Sequence, residues 1–346
     1  MEFKELLISK EKTVKEAMER IGALGPKILF VVEEDDTLLG SLTDGDIRRY
    51  LMGGGSITNT VYEACNRNPK KVASDVSEAK GMLSRHYVAI PIVDSKGRVI
   101  DIYIGNEQFK EQYDKIDVPI VINAGGKGTR LEPFTKVLPK PLIPVGDLPI
   151  IEHIMRRFEE FGCNRFDIIV NYKKQLIKTY FKENEKDYSI GWFDEDQPLG
   201  TGGGLSLLKG KLNETFFFIS CDNLLLSDYS DILKYHKENK NDITMICAYK
   251  NITIPYGIVE TDKQGDFLGI KEKPEFSFLT NTAMYVVEPK VLDDIENDRR
   301  IDFPQIIEFQ REKGRKIGVY PVGESEWLDM GQMSELEKMR IRLYGE

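Results

Sequence analysis

Cysteine is scarce in this sequence: 346 residues hold four, Cys65, Cys163, Cys221 and Cys247, and none sits in a C-x-x-C pair. That excludes a disulfide framework, removes the usual zinc and dithiol motifs, and predicts reduced thiols in a cytosolic setting. Histidine is scarcer still. His86, His153 and His236 stand far apart and form no Ser-His or Cys-His constellation, so they read as structural or surface residues. No stretch approaches the ~20 apolar residues of a membrane span, and the opening MEFKELLISKEKT lacks the apolar core of a signal peptide. The Asn-x-Thr matches at Asn213 and Asn251 are then chance, because only a secreted chain would use them. Basic excess is also missing. With 48 Lys and Arg against 57 Asp and Glu the net charge is −9, which disfavours binding to nucleic acid or to an anionic membrane surface.

What is present is ordinary globular composition, 41 % hydrophobic and 30 % charged, over a length that suggests about two domains. An internal repeat opens the chain. Thr13-Val-Lys-Glu-Ala17 matches Asp75-Val-Ser-Glu-Ala79 at an offset of 62, and Phe30-Val-Val-Glu33 matches Pro91-Ile-Val-Asp94 at an offset of 61. Leu38–Thr43 then aligns with Val99–Ile104, each reached through a short charged turn. Both units read as helix, strand, turn, strand, helix.

The run Gly40-Ser-Leu-Thr-Asp-Gly-Asp-Ile-Arg-Arg49 resembles the end of a CBS repeat, where a strand enters a helix through a Thr-x-x-Asp turn. By that resemblance two repeats pack as one α+β module, and Thr43 and Asp46 are candidate contacts to the phosphate and ribose of an adenine-type regulatory nucleotide. The same pattern is a common helix-capping device. The second repeat has Ile104 and Glu107 in the matching places.

A polar stretch, Phe109 to Asp117, gives way to the apolar run Val118–Ala124, so the boundary falls near Lys115 and divides the chain into 1–115 and 116–346. Beyond it, strand-like runs (Phe166 to Tyr172, Phe216 to Cys221, Asp242 to Tyr249, Asn281 to Val287) alternate with helical periods (Pro149 to Phe161, Tyr229 to Asn239, Phe303 to Lys313). That alternation predicts an α/β fold with a mostly parallel sheet.

The most informative stretch follows the first of these strands: Asn123-Ala-Gly-Gly-Lys-Gly-Thr-Arg-Leu-Glu-Pro-Phe-Thr-Lys-Val-Leu-Pro-Lys-Pro141. Its glycines allow a sharp turn and bring backbone N–H groups close to a phosphate. Neither the G-x-G-x-x-G nor the G-x-x-x-x-G-K-S/T spacing occurs, so dinucleotide and P-loop readings fail. Four cations (Lys127, Arg130, Lys136, Lys140) against one anion (Glu132) give the loop +3 inside an acidic domain, the local charge a triphosphate requires.

This loop resembles the signature of sugar-1-phosphate nucleotidyltransferases, the group that includes mannose-1-phosphate guanylyltransferases. The resemblance implies a Rossmann-like domain in which Ala124, Gly125, Gly126, Lys127, Gly128 and Thr129 cradle the nucleotide. Arg130 would grip the phosphates that leave as pyrophosphate, and Lys140 the α-phosphate. Gln197-Pro-Leu-Gly-Thr-Gly-Gly-Gly204 resembles the Pro-Leu-Gly-Thr-Ala-Gly loop along the base, which brings in Gln197, Gly200 and Thr201, with Gly202 to Gly204 opening the next helix. Gly203 departs from the family spelling, depending on how the run is aligned. Asp222, closing the strand Phe216–Cys221, and Asp329 in Glu326-Trp-Leu-Asp-Met-Gly331 are the implied Mg²⁺ ligands, a sparse carboxylate set that suits an ion which keeps its waters and shares phosphates. For the acceptor sugar phosphate, the segments Tyr256–Glu260, Lys271–Pro274 and Asn281–Tyr285 supply Gly257, Glu272, Lys273 and Asn281.

The implied reaction needs no protein nucleophile. A sugar-phosphate oxygen attacks the α-phosphorus in line and pyrophosphate leaves, so catalysis rests on positioning and charge neutralisation. The pairing of a CBS module with this domain looks most like bacterial enzymes that make GDP-sugars for surface glycans, including the GDP-glucosamine branch towards legionaminic acid. GTP is therefore the expected nucleotide and a hexose or hexosamine 1-phosphate the acceptor, in a cytoplasmic homodimer or higher homo-oligomer. The alternatives are a thymidylyl- or uridylyltransferase on glucose 1-phosphate, a catalytically inactive sensor of nucleotide sugar, and a scaffold that dimerises through the CBS pair.

Overall fold

The computed structural model describes residues 3–24, 27–73, 76–82, 88–105, 113–184, 187–331, 335 and 339–341. Asp75, His86, Glu107 and linker residues 109–112 lie outside this set. The chain divides into two compact units, Met1–Asp114 and Lys115–Glu346.

In the first unit, one repeat supplies β1 (Leu7–Ser9), α1 (Val14–Ala23), β2 (Ile28–Val32), β3 (Leu38–Thr43) and α2 (Asp44–Met52). After α3 (Val61–Ala64) the other supplies β4 (Val72–Ala73), α4 (Val76–Met82), β5 (Ala89–Val93) and β6 (Val99–Ile104). Each repeat forms a three-stranded sheet, parallel then antiparallel. The leading strands β1 and β4 are additions to the sequence reading, too short to carry a periodic signal. Both sheets bulge at equivalent places, between Val31 and Val32 and between Ile92 and Val93. The two turns also clasp each other: Leu38 N–H donates to Gly97 O (3.0 Å) and Val99 N–H to Asp36 O (2.9 Å). Phe30 and Val32 of one sheet share a core with Ala89, Val93 and Ile102 of the other. Neither repeat covers its own apolar face, so the pair is the folding unit.

The second unit begins with β7 (Ile120–Asn123), α5 (Phe134–Val137), β8 (Pro144–Val145), β9 (Leu148–Pro149), α6 (Ile150–Glu159), β10 (Arg165–Val170), α7 (Lys174–Glu183) and β11 (Ser189–Asp194). It continues through β12 (Phe216–Ser220), β13 (Asn223–Leu225), α8 (Tyr229–Glu238), β14 (Ile243–Thr253), β15 (Ile258–Thr261), β16 (Phe267–Lys271), β17 (Glu275–Val287), α9 (Phe303–Glu312), β18 (Ile317–Val322) and β19 (Trp327–Asp329). Seven strands make one sheet in the order β11-β10-β7-β12-β17-β14-β18, and within it β17 alone runs antiparallel to its neighbours.

The phenylalanine run of β12 shows why this sheet is covered on both sides. Phe217 packs on Phe158 of α6, with ring centroids 5.3 Å apart, while Phe218 points the other way to Phe303 of α9 at 4.9 Å. Strand side chains alternate faces, so a strand apolar at every position needs a helix layer on each side. In α6 the residues Ile150, Ile151, Ile154, Met155 and Phe158 are fully buried, at about 2 kcal/mol each. Pro149 is the N-cap of that helix, and Gly162 beyond its end takes φ 82°. The helix that Gly202 to Gly204 open is a 3₁₀ helix, Gly203–Leu208, and one detail departs from the sequence reading. Strands β14 and β17 pair from Ile243 opposite Val287 out to Thr253 opposite Glu275, well past the runs that the apolar pattern marked.

Candidate active site

Strands β7 and β12 end side by side, with Asn123 opposite Ser220. Ligands of open α/β sheets bind at such carboxyl ends, and here a cavity of about 550 Å³ opens. The chain leaves β7 through Ala124, which is buried and donates its N–H to Ile169 O (2.8 Å). Gly128 then adopts φ 66°, and a Cβ there would lie 2.9 Å from Thr135 Cγ2 and 3.0 Å from Lys140 Cβ. Only glycine fits, because the loop closes tightly over the Lys140 segment. The hydroxyl of Thr135 donates to Gly128 O (3.0 Å) and fixes that closure.

Lys140 reaches across to pair with Asp222, and Ser220 Oγ donates to the same carboxylate. Asp222 O accepts from Met330 N–H (2.9 Å), and Asn223 lies opposite Asp329 in the β13–β19 ladder, so both aspartates are held by one short antiparallel ribbon. Burial, and next the charge of Asp222, raise the pKa of Asp329, partly offset by the Gly331 N–H that its Oδ1 accepts (2.8 Å). Two carboxylates that repel each other beside a phosphate-sized space form a donor set that fits a hard divalent cation.

A second loop closes the cavity. Gly200 has φ 83°, and a Cβ there would stand 2.7 Å from Ile301 O. Thr201 N–H donates to Asp302 Oδ1 (2.9 Å), and the amide of Asn123 donates to Thr201 O (3.1 Å). Gly125, Gly126, Lys127, Gly128, Thr129, Arg130, Lys140, Gly200, Thr201 and Asp222 all line the cavity. Gln197 does not; its amide donates to Asp298 O (3.3 Å). Asp329 lies just behind the lining residue Gly331.

The expected acceptor residues lie off this lining. Gly257 and Glu272 face each other across the β15–β16 hairpin, where a Cβ on Gly257 would come 2.9 Å from Glu272 Oε1. Lys273 follows with φ 42°. Asn281 donates to Tyr285 Oη (2.7 Å) and accepts from Ala283 N–H (2.9 Å) at a bend of β17. In the first unit Thr43 and Asp46 meet as a capping box on α2: Thr43 N–H donates to Asp46 Oδ2 (2.9 Å), Asp46 N–H to Thr43 Oγ1 (3.2 Å), and Arg49 pairs with Asp46 Oδ1. His236 is buried between Thr244 Oγ1 (2.8 Å) and Glu288 Oε1 (3.0 Å), a structural position, and burial lowers its pKa. His153 bonds Val145 O (2.9 Å).

Sequence reasoning missed Glu195, Arg300 and Asp302, which also line the cavity. Glu195 is 3 % exposed, and its Oε1 has no hydrogen-bond partner among the described residues. A Cβ on Gly125 would sit 2.8 Å from Glu195 Oε2, and one on Gly204 2.6 Å from Oε1, so glycines of both loops make room for this carboxyl. Burial raises its pKa to about 7. The available signal was its place directly after β11, a strand the apolar pattern left unmarked.

Residues 119–343 match the family described as Nucleotidyl transferase, and residues 4–53 match the CBS domain. The chain is similar to a mannose-1-phosphate guanylyltransferase of Mycobacterium tuberculosis, 32 % identical over 223 residues, which span 62 % of this chain and 61 % of that protein. It is also similar to a UTP–glucose-1-phosphate uridylyltransferase of Synechocystis, 28 % identical over 240 residues, 62 % of this chain and 60 % of that protein. The chain thus spans about three fifths of the length of these relatives. Among solved structures, HddC from Yersinia pseudotuberculosis complexed with GMP-PN has the same fold, with TM-score 0.52 and 21 % identity over 65 % of this chain and 99 % of that one.

Proposed function

The chain belongs to the nucleotidyl transferase family, and we propose that it joins a hexose or hexosamine 1-phosphate, such as glucosamine 1-phosphate, to GTP. The products would be a GDP-sugar for surface glycans and pyrophosphate. One observation carries this reading: Lys127, Arg130, Lys140 and Asp222 converge on one cavity at the carboxyl ends of β7 and β12. A cavity so lined is built for a short polyanion with its counter-ions.

In this reading the glycines of the 125–128 loop admit the triphosphate against the backbone. Arg130 holds the departing pyrophosphate and Lys140 the α-phosphate, stabilising charge as it moves onto the leaving group. Asp222 and Asp329 would hold Mg²⁺, which supplies charge neutralisation between phosphates. Ala124, Thr129, Gly200 and Thr201 shape the nucleotide subsite, with Gln197 bracing the second loop. Gly257, Glu272, Lys273 and Asn281 are proposed to meet the sugar phosphate. A phosphate oxygen is already anionic, so no side chain need remove a proton from it.

Glu195 supports guanine. The N1–H and 2-amino groups of that base are adjacent donors, which one carboxylate can accept together, whereas uracil and thymine offer a single N–H flanked by carbonyl oxygens that a carboxylate repels. The relative that is a mannose-1-phosphate guanylyltransferase supports the same base. The tandem CBS module, residues 1–115, is proposed to dimerise the chain and to tune transfer through a nucleotide near Thr43 and Asp46. Among the described residues no helix is long and apolar enough to cross a membrane, and the four cysteines are unpaired, which fits a cytoplasmic enzyme. The test is pyrophosphate release with Mg²⁺, four nucleoside triphosphates and a panel of sugar 1-phosphates. GTP with a hexose or hexosamine 1-phosphate should lead, and silence across the panel would sink the reading.

A further inference from the structure

Arg300 is the cavity-lining cation that the signature loop does not supply. It belongs to the segment before α9, and that segment is pinned to the second loop. Ile301 N–H donates to Leu199 O (3.0 Å), while Gly202 and Gly203 N–H both donate to Ile301 O (3.0 Å each). Phe303 N–H donates to Thr201 Oγ1 (3.0 Å). A Cβ on Gly203 would lie 2.5 Å from Arg299 O, so the approach is as close as glycine permits. The backbone that carries Arg300 is therefore fixed on the cavity wall, whatever its long side chain does.

The two neighbouring arginines differ in their surroundings. Arg299 pairs with Glu296 (2.6 Å) out in solvent. The guanidinium of Arg300 has no ion-pair or hydrogen-bond partner among the described residues. Of the carboxylates that share its cavity, Asp222 is committed to Lys140 and Asp302 to Thr201, and Glu195 is walled in against Gly125 and Gly204. A planar guanidinium with free donors facing a cavity on a rigid segment matches the geometry of a phosphate oxygen pair.

We propose that Arg300 binds the phosphate chain of the nucleotide, meeting it from the segment before α9 while Lys127 and Arg130 approach from the signature loop. The inference rests on the nucleotidyltransferase reading of this cavity and adds a residue to it. It predicts where the affinity should be lost: in ligands with phosphates, and in proportion to their number.

The test is calorimetric titration of the full chain with guanosine, GMP, GDP and GTP, without sugar phosphate, for wild type, Arg300→Met and Arg300→Lys. Arg300→Met should weaken GTP by about 10- to 100-fold, the effect of losing a hydrogen bond to a charged group. It should leave guanosine unchanged, with Arg300→Lys in between. Thermal midpoints check folding, and if Arg300→Met unfolds, Arg300→Lys alone decides by its GTP-to-guanosine ratio. Equal loss for guanosine and GTP would mean a contact to the base and would overturn the inference. So would wild-type GTP affinity in a folded Arg300→Met. A wild-type chain that binds none of the four overturns the reading beneath it as well.

Discussion

Lys140 and Asp222 stand 82 positions apart in the sequence and meet as an ion pair on the cavity wall, with side chains 12 % and 7 % exposed. Each is the other's counter-ion in the absence of substrate, which leaves Lys127, Arg130 and Arg300 as the cavity's other cations. Replacing either by alanine should lower turnover by at least ~100-fold, the scale of one lost preorganised electrostatic contact. It should also cost about 3 kcal/mol of stability, because the remaining charge is left buried and unpaired. The double replacement should recover most of that stability and none of the turnover. Steady-state kinetics and denaturant titration of the three variants check both statements.

Glu195 gives a pH-dependent prediction. Its folded pKa lies near 7, against an ordinary 4.5. Folding therefore favours the protonated carboxyl, and ionisation works against the fold progressively between those values. Glu195→Gln should match wild type at pH 4 and exceed it by about 3 kcal/mol at pH 8. Guanine N–H groups favour the ionised carboxylate. Relative to the glutamine variant, wild-type affinity for guanosine should rise about tenfold from pH 6 to pH 8. The variant should also gain on UTP, because an amide offers one donor and one acceptor. Melting curves and competition binding at the two pH values decide it.

Gly200 holds the second loop against the segment before α9 at a distance that no other residue tolerates. Its φ of 83° disfavours a side chain, and the obstacle is a backbone oxygen, Ile301 O at 2.7 Å, which has little room to move. Gly200→Ala should cost about 1 to 3 kcal/mol and raise KM for the nucleotide more than it lowers kcat. Gly210→Ala, with φ 69° and open space around it, is the control for strain alone and should leave KM unaltered.

In the first unit, the Thr43–Asp46 capping box separates structure from regulation. Thr43→Ala should lower stability by about 1 kcal/mol through loss of the cap. If a nucleotide also binds there, the variant should lose any response of transfer to adenine nucleotides while its basal rate stays near wild type. Identical responses in both proteins would reduce Thr43 to a cap.

Much of this was legible in the sequence because the chemistry is contiguous there. The 123–141 loop carries its glycines, cations and prolines in one contiguous stretch, and the offset of 61 survives in the bulges of β2–β3 and β5–β6. Glu195 and Arg300 were not legible. Each is an ordinary charged residue in a polar run, and what distinguishes them is a neighbour distant in sequence: Gly125 for the first, the second loop for the second. The long β14–β17 ribbon was half missed for a related reason. Its outer residues, such as Ile252 and Phe276, pair across strands without being buried, so ladder hydrogen bonds define it where apolar periodicity cannot.

The central claim is transfer of a nucleotidyl group to a sugar phosphate, and GTP labelled at its α-phosphorus tests it directly. Incubated with Mg²⁺, the full chain and glucosamine or mannose 1-phosphate, the label should appear in a GDP-sugar and leave the released pyrophosphate unlabelled. Label recovered only as GTP across both acceptors, or released as GMP, would contradict the account.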